Sequence, residues 1–258
     1  MGYLDDVVEL AELGQRKLVI LWGKSNTGKT EFGSTWPKPM LYTQIGDDGS
    51  NTIAGKEGIM GKRIEPVMDS RGRIDTTSTE VLAGTLKELV KKKGAGYETV
   101  FVDTFSMVTN VWVDENATQK KKRMTQQMWG DLKNDVEEII RLVHKLAQYV
   151  WVVLSCHEAM DALEGLEDEI LPDARPNMSK GVRTYLEGMA NYGFHTTRLK
   201  KELTEDGVEK TLVKYAAHIG PNPYYWTKLQ TPKGTKVPSV MINPSFNKLK
   251  KLGLMGSQ

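Results

Sequence analysis

The stretch GKSNTGKT, residues 23–30, decides the fold prediction. It matches the phosphate-loop pattern G-x-x-x-x-G-K-[ST], in which two glycines let the backbone curl so that successive N–H groups face one anion. The apolar run KLVILW (17–22) precedes it, and EFGSTW (31–36) can start a helix after it. This is the strand, loop and helix context that the pattern requires. The sequence therefore predicts a nucleotide phosphate site.

Two side chains of this loop have separate expected roles. Lys29 is expected to reach the β- and γ-phosphates, which makes it a candidate catalytic residue, and the Thr30 hydroxyl is expected to coordinate Mg²⁺. The candidate nucleotide-binding residues are Gly23, Lys24, Ser25, Asn26, Thr27, Gly28, Lys29, Thr30 and Glu31. No [NT]KxD guanine-reading motif stands in a suitable place, so ATP is the expected nucleotide.

An aspartate closes a second apolar run, TVFVD (99–103). Taken alone, an aspartate at this point commonly caps the segment that follows. Together with the phosphate loop, it indicates a Walker B strand whose carboxylate holds Mg²⁺ at the carboxyl edge of the sheet, where ligands bind in open α/β folds. Asp103 is therefore a predicted metal ligand, with Thr30, and a predicted catalytic residue.

Hydrolysis also requires a group that activates water. The run MLYTQIGDDGS (40–50) ends in Asp47 and Asp48, and Asp48 is the favoured base. The alternative is that GDDGS is a turn selected for its glycine and aspartate content.

Apolar runs alternate with helical patterns over most of the chain. The predicted strands 17–22, 40–45, 99–103 and 149–155 are continuous hydrophobic runs, and the predicted helices are 78–94 and 129–148. Such alternation is typical of an α/β fold with a mostly parallel central sheet flanked by helices. After residue 190 strand patterns follow one another, which predicts a C-terminal antiparallel extension with a turn at 204–207.

The chain is expected to form one domain of 258 residues. Its predicted parts are an N-terminal helical segment (1–16), a phosphate-loop core (17–190), an antiparallel strand extension (191–245) and a C-terminal tail (246–258). Hydrophobic residues make up 39% of the chain, which is ordinary for a globular protein. We expect no membrane association and a cytoplasmic location, because the N-terminal stretch is acidic and the single cysteine, Cys156, excludes a disulfide framework.

The net charge of +2 is too small to indicate nucleic-acid binding by itself, so any such signal has to be local. The concentrated basic run is KKKR at Lys120, Lys121, Lys122 and Arg123. A run of this kind is most often a solvated surface.

The chain resembles RecA-like P-loop ATPase cores and, among them, the short AAA-type phage ATPases classed with single-strand annealing and recombination proteins. The resemblance rests on segments that follow in the same order. These are GKSNTGKT, YTQIGDDG, TVFVDTFS, WGDLKNDVEEIIRLVHKL, VVLSCHE and YYWTKLQTPKGTKVPSVMINP, between residues 17 and 245.

The resemblance implies two loops that face single-stranded DNA, one at 114–128 and one at 159–183. The implied DNA-binding residues are Lys120, Lys121, Lys122, Arg123, Arg175, Lys180 and Arg183. It also implies that His157, after the strand 149–155, senses the γ-phosphate and passes its state to the second loop, with Glu158 as a weaker companion. A histidine after a strand is, alternatively, a satisfied structural residue.

The resemblance further implies a homo-oligomer, either a ring or a filament, whose ATP site lies between protomers. Lys228 and Lys233 would then reach the neighbour's γ-phosphate, although both could also be exposed hairpin lysines. A single-strand binding protein is an implied further partner.

The function expected from these features is a DNA-dependent ATPase of phage-type recombination that anneals or pairs strands. One alternative is a nucleotide-gated module that loads a partner protein with little hydrolysis. Another is a small-molecule phosphotransferase, which the basic run and the missing arginine-bearing lid disfavour.

Overall fold

The computed structural model of the protein describes residues 16–46, 49–161, 173–205, 208–231 and 234–255. The strands in these ranges are β1 (Leu18–Gly23), β2 (Met40–Gln44), β3 (Ile59–Arg63), β4 (Val67–Met68), β5 (Ile74–Thr76), β6 (Thr99–Asp103), β7 (Trp151–Asp161), β8 (Asp173–Pro176), β9 (Tyr192–Glu205), β10 (Val208–His218), β11 (Lys228–Leu229) and β12 (Val240–Ile242). The helices are α1 (Lys29–Gly33), α2 (Ser78–Lys91), α3 (Met107–Val113), α4 (Gln126–Leu146), α5 (Lys180–Met189) and α6 (Phe246–Lys251). Single turns of 3₁₀-helix and π-helix lie at Ser50–Thr52 and Asp114–Thr118.

The main sheet has the strand order β12-β10-β9-β1-β7-β6-β2-β3. Every neighbouring pair from β9 to β3 is parallel, whereas β10 is antiparallel to both β9 and β12. The predicted α/β fold with an antiparallel C-terminal extension is therefore confirmed. β7 lies directly beside β6, and it separates β6 from the phosphate-loop strand β1.

The sheet is covered on both faces because alternate residues of its strands point to opposite sides. Leu18, Ile20 and Trp22 of β1 are buried in the same cluster as the apolar stripes of α2 and α4. Val19 and Leu21 are buried in the opposite cluster, with residues of α1 and α6. This double burial explains why the central strands read as continuous hydrophobic runs.

The two long helices begin at sequence-encoded caps. Thr77 and Glu80 form a capping box at the start of α2, and the Thr125 side chain accepts a hydrogen bond from the Met128 N–H at the start of α4. The apolar stripe of α4 is buried throughout: Leu132, Val136, Ile139, Ile140, Val143 and Leu146. Side-chain capping and burial of one face together account for the 21 residues of this helix.

A glycine sets how closely α1 approaches the sheet. A Cβ atom added to Gly33 would lie 2.5 Å from Cζ of the Phe101 ring on β6. Since real Cβ contacts do not come that close, α1 rests on β6 at a distance that only glycine permits.

Strand β7 is longer than predicted. It was expected over 149–155 but continues to Asp161. The extension is held by pairing: His157 pairs with Gly23 of β1, and the residues from Glu158 to Asp161 pair with β8. The second predicted DNA loop, 159–183, accordingly contains the end of β7, β8 and the start of α5, while 162–172 lie outside the described residues. The first, 114–128, contains the π-helical turn and the start of α4.

The C-terminal region also departs from expectation in detail. The segment 224–231 contains the short strand β11, which pairs with β9, and an isolated β-bridge from Tyr225 to Ala174. The predicted tail from residue 246 starts with α6. None of the helices in the described ranges combines the length and apolar character that crossing a bilayer requires.

Candidate nucleotide-binding site

The loop between β1 and α1 has a backbone that needs its two glycines. Gly23 has φ 151°, and a Cβ atom there would lie 2.4 Å from the carbonyl oxygen of Thr196 on β9. Gly28 has φ 87°, in the left-handed region that side chains disfavour. Thr27 is fixed from the same side, since its hydroxyl lies 2.6 Å from the Thr196 hydroxyl. Strand β9, the first strand of the C-terminal extension, therefore packs against the loop through Thr196 and supports it.

The Lys29 side chain stretches back across this loop. It is 7% exposed, and its Nζ donates to the carbonyl oxygens of Gly23 at 3.0 Å and Lys24 at 2.8 Å. These bonds hold a positive charge at the mouth of the loop, where the backbone N–H groups and the start of α1 also favour an anion. The predicted role of Lys29 agrees with this position.

The Asp103 carboxylate lies beside the loop and is held by hydroxyl groups. Thr30 Oγ1 donates to its Oδ2 at 2.8 Å and the Tyr42 hydroxyl does so at 3.0 Å, while Thr104 and Ser155 donate to Oδ1. Asp103 is only 3% exposed. Four donors thus orient one buried carboxylate toward the hydroxyl of the phosphate loop.

The Thr30 hydroxyl and the Asp103 carboxylate are the oxygen donors that Mg²⁺ prefers, so the donor set fits the predicted ion. Within the described ranges, no three His, Cys, Asp or Glu side chains come together as a metal cage. Thr30 and Asp103 would therefore hold the ion jointly with nucleotide phosphates, which is how Mg²⁺ is usually bound.

A cleft of about 580 Å³ opens over these groups. Such a volume is within the range of small-molecule sites, roughly 300–1,000 Å³. Its wall includes most of the predicted loop together with Asp103 and His157. It also includes Thr104, beside Asp103, and residues that sequence reasoning missed, namely Gly49, Thr52 and Tyr215.

Tyr215 is the most informative of the missed residues. It lies on β10, is 44% exposed, and its Cδ1 would be 3.0 Å from a Cβ atom added to Gly28. An exposed ring beside a phosphate loop can stack on a nucleobase. No local sequence signal marks Tyr215, because it reaches the loop only through the pairing of β10 with β9 and of β9 with β1.

His157 and Glu158 point to opposite faces of β7. His157 lines the cleft, and its backbone N–H donates to Ser106 Oγ at 2.9 Å. Glu158 lies in the interior, where its Oε2 is 2.8 Å from Nε2 of His195. The structure thus brings His157 to the candidate site and separates it from Glu158.

Burial lowers the pKa of His195 to about 4, and the hydrogen bond and charge of Glu158 oppose this shift without overcoming it. His195 is therefore neutral at pH 7 and donates a hydrogen bond to the Glu158 carboxylate. Its ring stacks on Tyr225 with centroids 3.8 Å apart. Glu158 and His195 are structural partners rather than a second ligand site.

Asp48, the predicted base, lies outside the described residues, and so does Asp47. Gly49, the next described residue, lines the nucleotide cleft. A Cβ atom added to Gly49 would lie 2.7 Å from Asp103 Oδ2. The choice of Asp48 as the base stays a prediction.

The predicted DNA-binding residues are distributed unevenly. Lys120, Lys121, Lys122, Arg123 and Lys180 are exposed. Arg175, on β8, lies 3.7 Å from Glu187 in a partly buried ion pair. Arg183 is only 8% exposed on the packed face of α5, so its prediction as a residue that follows a DNA backbone is wrong. Its place at the fourth position of α5 turns it toward the core.

The predicted interface lysines are not equivalent. Lys228 Nζ donates to the carbonyl oxygens of Glu187 at 2.9 Å and Gly188 at 3.2 Å, near the end of α5. Burial lowers its pKa. In the single chain Lys228 is thus bound by its own α5, and its predicted reach toward a neighbour stays a prediction. Lys233 lies outside the described residues.

Comparison with known proteins agrees with the geometry. No curated protein matches the chain. Residues 15–217 match the AAA domain family, and this range includes the phosphate loop, Asp103, His157 and Tyr215. The family implies ATP as the ligand, usually with Mg²⁺. Because the match spans most of the chain, the protein belongs to the AAA domain family of P-loop ATPases.

Proposed function

We propose that the protein is a DNA-dependent ATPase of phage-type homologous recombination, which binds single-stranded DNA as an oligomer and promotes annealing or strand pairing. One observation carries this proposal. The exposed basic run 120–123 follows Asp103 within one short segment, through α3 and the π-helical turn. A movement of Asp103, the proposed magnesium ligand, can therefore be transmitted along this segment to a positively charged surface.

The proposed chemistry distributes roles among the residues of the cleft. Lys29 stabilises negative charge on the transferred phosphoryl group, and Thr30 and Asp103 hold Mg²⁺. When bound, Mg²⁺ neutralises charge on the β- and γ-phosphates. Asp48 orients and deprotonates the attacking water, and His157 donates a hydrogen bond to the γ-phosphate from one ring nitrogen.

The proposed DNA contact is electrostatic. Lys120, Lys121, Lys122 and Arg123 are exposed and consecutive, so several of them can neutralise phosphates of one strand. Contacts of this kind position a strand without reading its sequence. Such binding suits a protein that anneals strands of any sequence.

The oligomer is part of the proposal, as a ring or a filament with the ATP site between protomers. Because Lys228 is engaged in its own chain, Lys233 is the preferred candidate for a cation supplied to the neighbour. A Lys233→Ala variant mixed with a Lys29→Met variant would then regain part of the ATPase activity in hybrid oligomers. No recovery at any mixing ratio would contradict this arrangement. A single-strand binding protein is the proposed further partner.

The experiment that tests the function is ATP turnover measured with and without single-stranded DNA, with the Lys29→Met variant as the control for contaminating activity. Stimulation by DNA supports the proposal. Negligible turnover under both conditions would assign the protein to partner loading gated by nucleotide. Turnover that ignores DNA and needs a metabolite would assign it to phosphotransfer.

A further inference from the structure

A second cleft, of about 540 Å³, lies next to the nucleotide site at the same edge of the sheet. Gln44 at the end of β2 and Arg63 at the end of β3 contribute to its wall. Residues of α3 and of the π-helical turn, among them Asn110, close it on the other side. None of the features used in the proposed function accounts for this cleft.

The second cleft lies next to two features used in the proposed function, the basic run 120–123 and the nucleotide cleft. Gln119 lines it and directly precedes the basic run 120–123. Gly46 lines it too, whereas Gly49, three residues later, lines the nucleotide cleft. The cleft is therefore placed between a candidate phosphate-binding surface and the nucleotide site.

The charges around the second cleft disfavour a phosphate inside it. Arg63 is opposed by Glu65, Asp114 and Glu115 in the same wall. Glu115 is buried, and its carboxylate accepts hydrogen bonds from the backbone N–H and the hydroxyl of Ser78 at the start of α2. A phosphate is attracted to the basic run and repelled here, so the group that enters the cleft is not an anion.

The chemistry of the wall suits a flat heteroaromatic ring. Ile64, Met107 and Val111 supply apolar surface, and the amides of Asn110 and Gln119 carry donors and acceptors of the kind that base edges present. At the rim, Pro66 is followed by Val67 and Met68, which are 50% and 51% exposed. Apolar faces with polar edges are the features by which proteins bind unstacked bases.

We propose that the second cleft receives a base of single-stranded DNA whose phosphates lie on Lys120, Lys121, Lys122 and Arg123. This inference rests on the proposed DNA-binding function and adds to it a site for the base. The basic run 120–123 then binds the charged phosphates of the DNA strand, and the second cleft binds an uncharged base.

The test compares two strands of equal length in the presence of ATP and Mg²⁺, one of thymidine nucleotides and one with abasic sugars throughout. Fluorescence anisotropy gives the affinity for each. The protein should bind the thymidine strand at least about fivefold more tightly, the low end of what one base contact contributes. The variants are Asn110→Leu and Asn110→Leu with Gln119→Leu, which remove amides from exposed positions. The control is Asn134→Leu, at an exposed position of α4 outside the cleft.

The double variant should lose the preference for the thymidine strand and keep its affinity for the abasic strand, while Asn134→Leu behaves as the unaltered protein. A preference that survives in the double variant, or none in the unaltered protein, overturns the base cleft and leaves the DNA-dependent ATPase standing. Binding of free thymidine without any preference between strands assigns the cleft to a nucleoside and also overturns it. Failure to bind either strand overturns the proposed function and this inference together.

Discussion

The Thr30 hydroxyl donates a 2.8 Å hydrogen bond to Oδ2 of Asp103, across 73 residues of sequence. Thr30 lies in α1, which follows β1 after the phosphate loop, and Asp103 ends β6, while β7 runs between β1 and β6. Ser155 of this intervening strand donates to the other carboxylate oxygen. Groups from α1, β6 and β7 therefore meet at one carboxylate, which makes it the centre of the candidate site.

Replacing Lys29 with methionine should abolish measurable nucleotide binding. The side chain is buried and its ammonium is held by two loop carbonyls, so the variant removes the charge from the mouth of the loop while keeping most of the volume. Isothermal titration with ATP and Mg²⁺ measures the effect. Lys87→Met, at an exposed ion pair with Glu138, should bind as the unaltered protein does. Equal affinity in both variants would argue against the loop as the phosphate site.

Replacing Asp103 with asparagine should remove the dependence of ATP binding on Mg²⁺. The amide cannot supply the anionic oxygen that the ion prefers, and its NH₂ group would face hydroxyls that now donate to the carboxylate. We also expect the free energy of unfolding to fall by about 1–3 kcal/mol, because buried donors lose their acceptor. Titrations with and without Mg²⁺ and urea unfolding test both effects. A persistent response to Mg²⁺ would place the ion elsewhere.

Replacing Lys120, Lys121, Lys122 and Arg123 with alanine should weaken binding of single-stranded DNA and flatten its dependence on salt. Each phosphate contact contributes about 0.7 to the slope of log affinity against log salt for single strands. Binding isotherms over a salt series measure this slope. The matched control removes Lys91, Lys92 and Lys93, another exposed basic run, and should leave the slope unchanged. If both variants flatten the slope equally, the effect would reflect only the loss of net positive charge and not a DNA contact at 120–123.

Replacing His157 with alanine should preserve ATP binding and abolish the stimulation of turnover by DNA. His157 lines the nucleotide cleft on β7, and β7 pairs with β8, so removal of His157 separates the two sites without disturbing the phosphate loop. ATP affinity and DNA-stimulated turnover are measured on the same preparation, with His144→Ala on α4 as the control. Normal stimulation in His157→Ala would reject the coupling role.

Stability should fall as the pH decreases from 7 toward 4. Neutral His195, with its pKa lowered to about 4, binds fewer protons in the folded state than in the unfolded state, where the ordinary value is 6.5. This contribution is therefore fully present above pH 6.5 and is lost toward pH 4, at up to about 1.4 kcal/mol per pH unit. Burial also lowers the pKa of His218 and His144, which adds to the same trend.

Urea unfolding at several pH values measures this slope. His195→Gln keeps a donor for Glu158 and should flatten the slope without removing it. An unchanged slope in this variant would show that His195 does not titrate as its burial requires.

Local patterns predicted the core of the fold because the central strands are buried on both faces. β1, β2 and β6 appear in the sequence as apolar runs close to their observed bounds. The edge strand β3 was missed because its residues GKR are exposed and give no such run. The end of β7 was missed for a related reason, since His157 and Glu158 interrupt the apolar pattern while the pairing continues.

Residues of the candidate site that belong to a local sequence motif were predicted. Residues that distant strands bring to the site were missed. Lys29, Thr30 and Asp103 come from two such motifs, and the structure brings them together. Tyr215 and Thr196 reach the loop only through the order of strands in the sheet. Arg183 looked like a surface cation because the sequence does not state which face of α5 is packed.

Gly33 has no side chain that could contact a ligand, yet the geometry of the predicted magnesium site depends on it. It lies one helical turn after Thr30, and two residues before Asp103 the ring of Phe101 occupies the space where its side chain would be. Any larger residue would lift α1 from β6 and lengthen the distance between the Thr30 hydroxyl and the Asp103 carboxylate. The spacing of the two predicted magnesium ligands is thus set by a missing methyl group in the interior, at a position that inspection of the cleft alone would overlook.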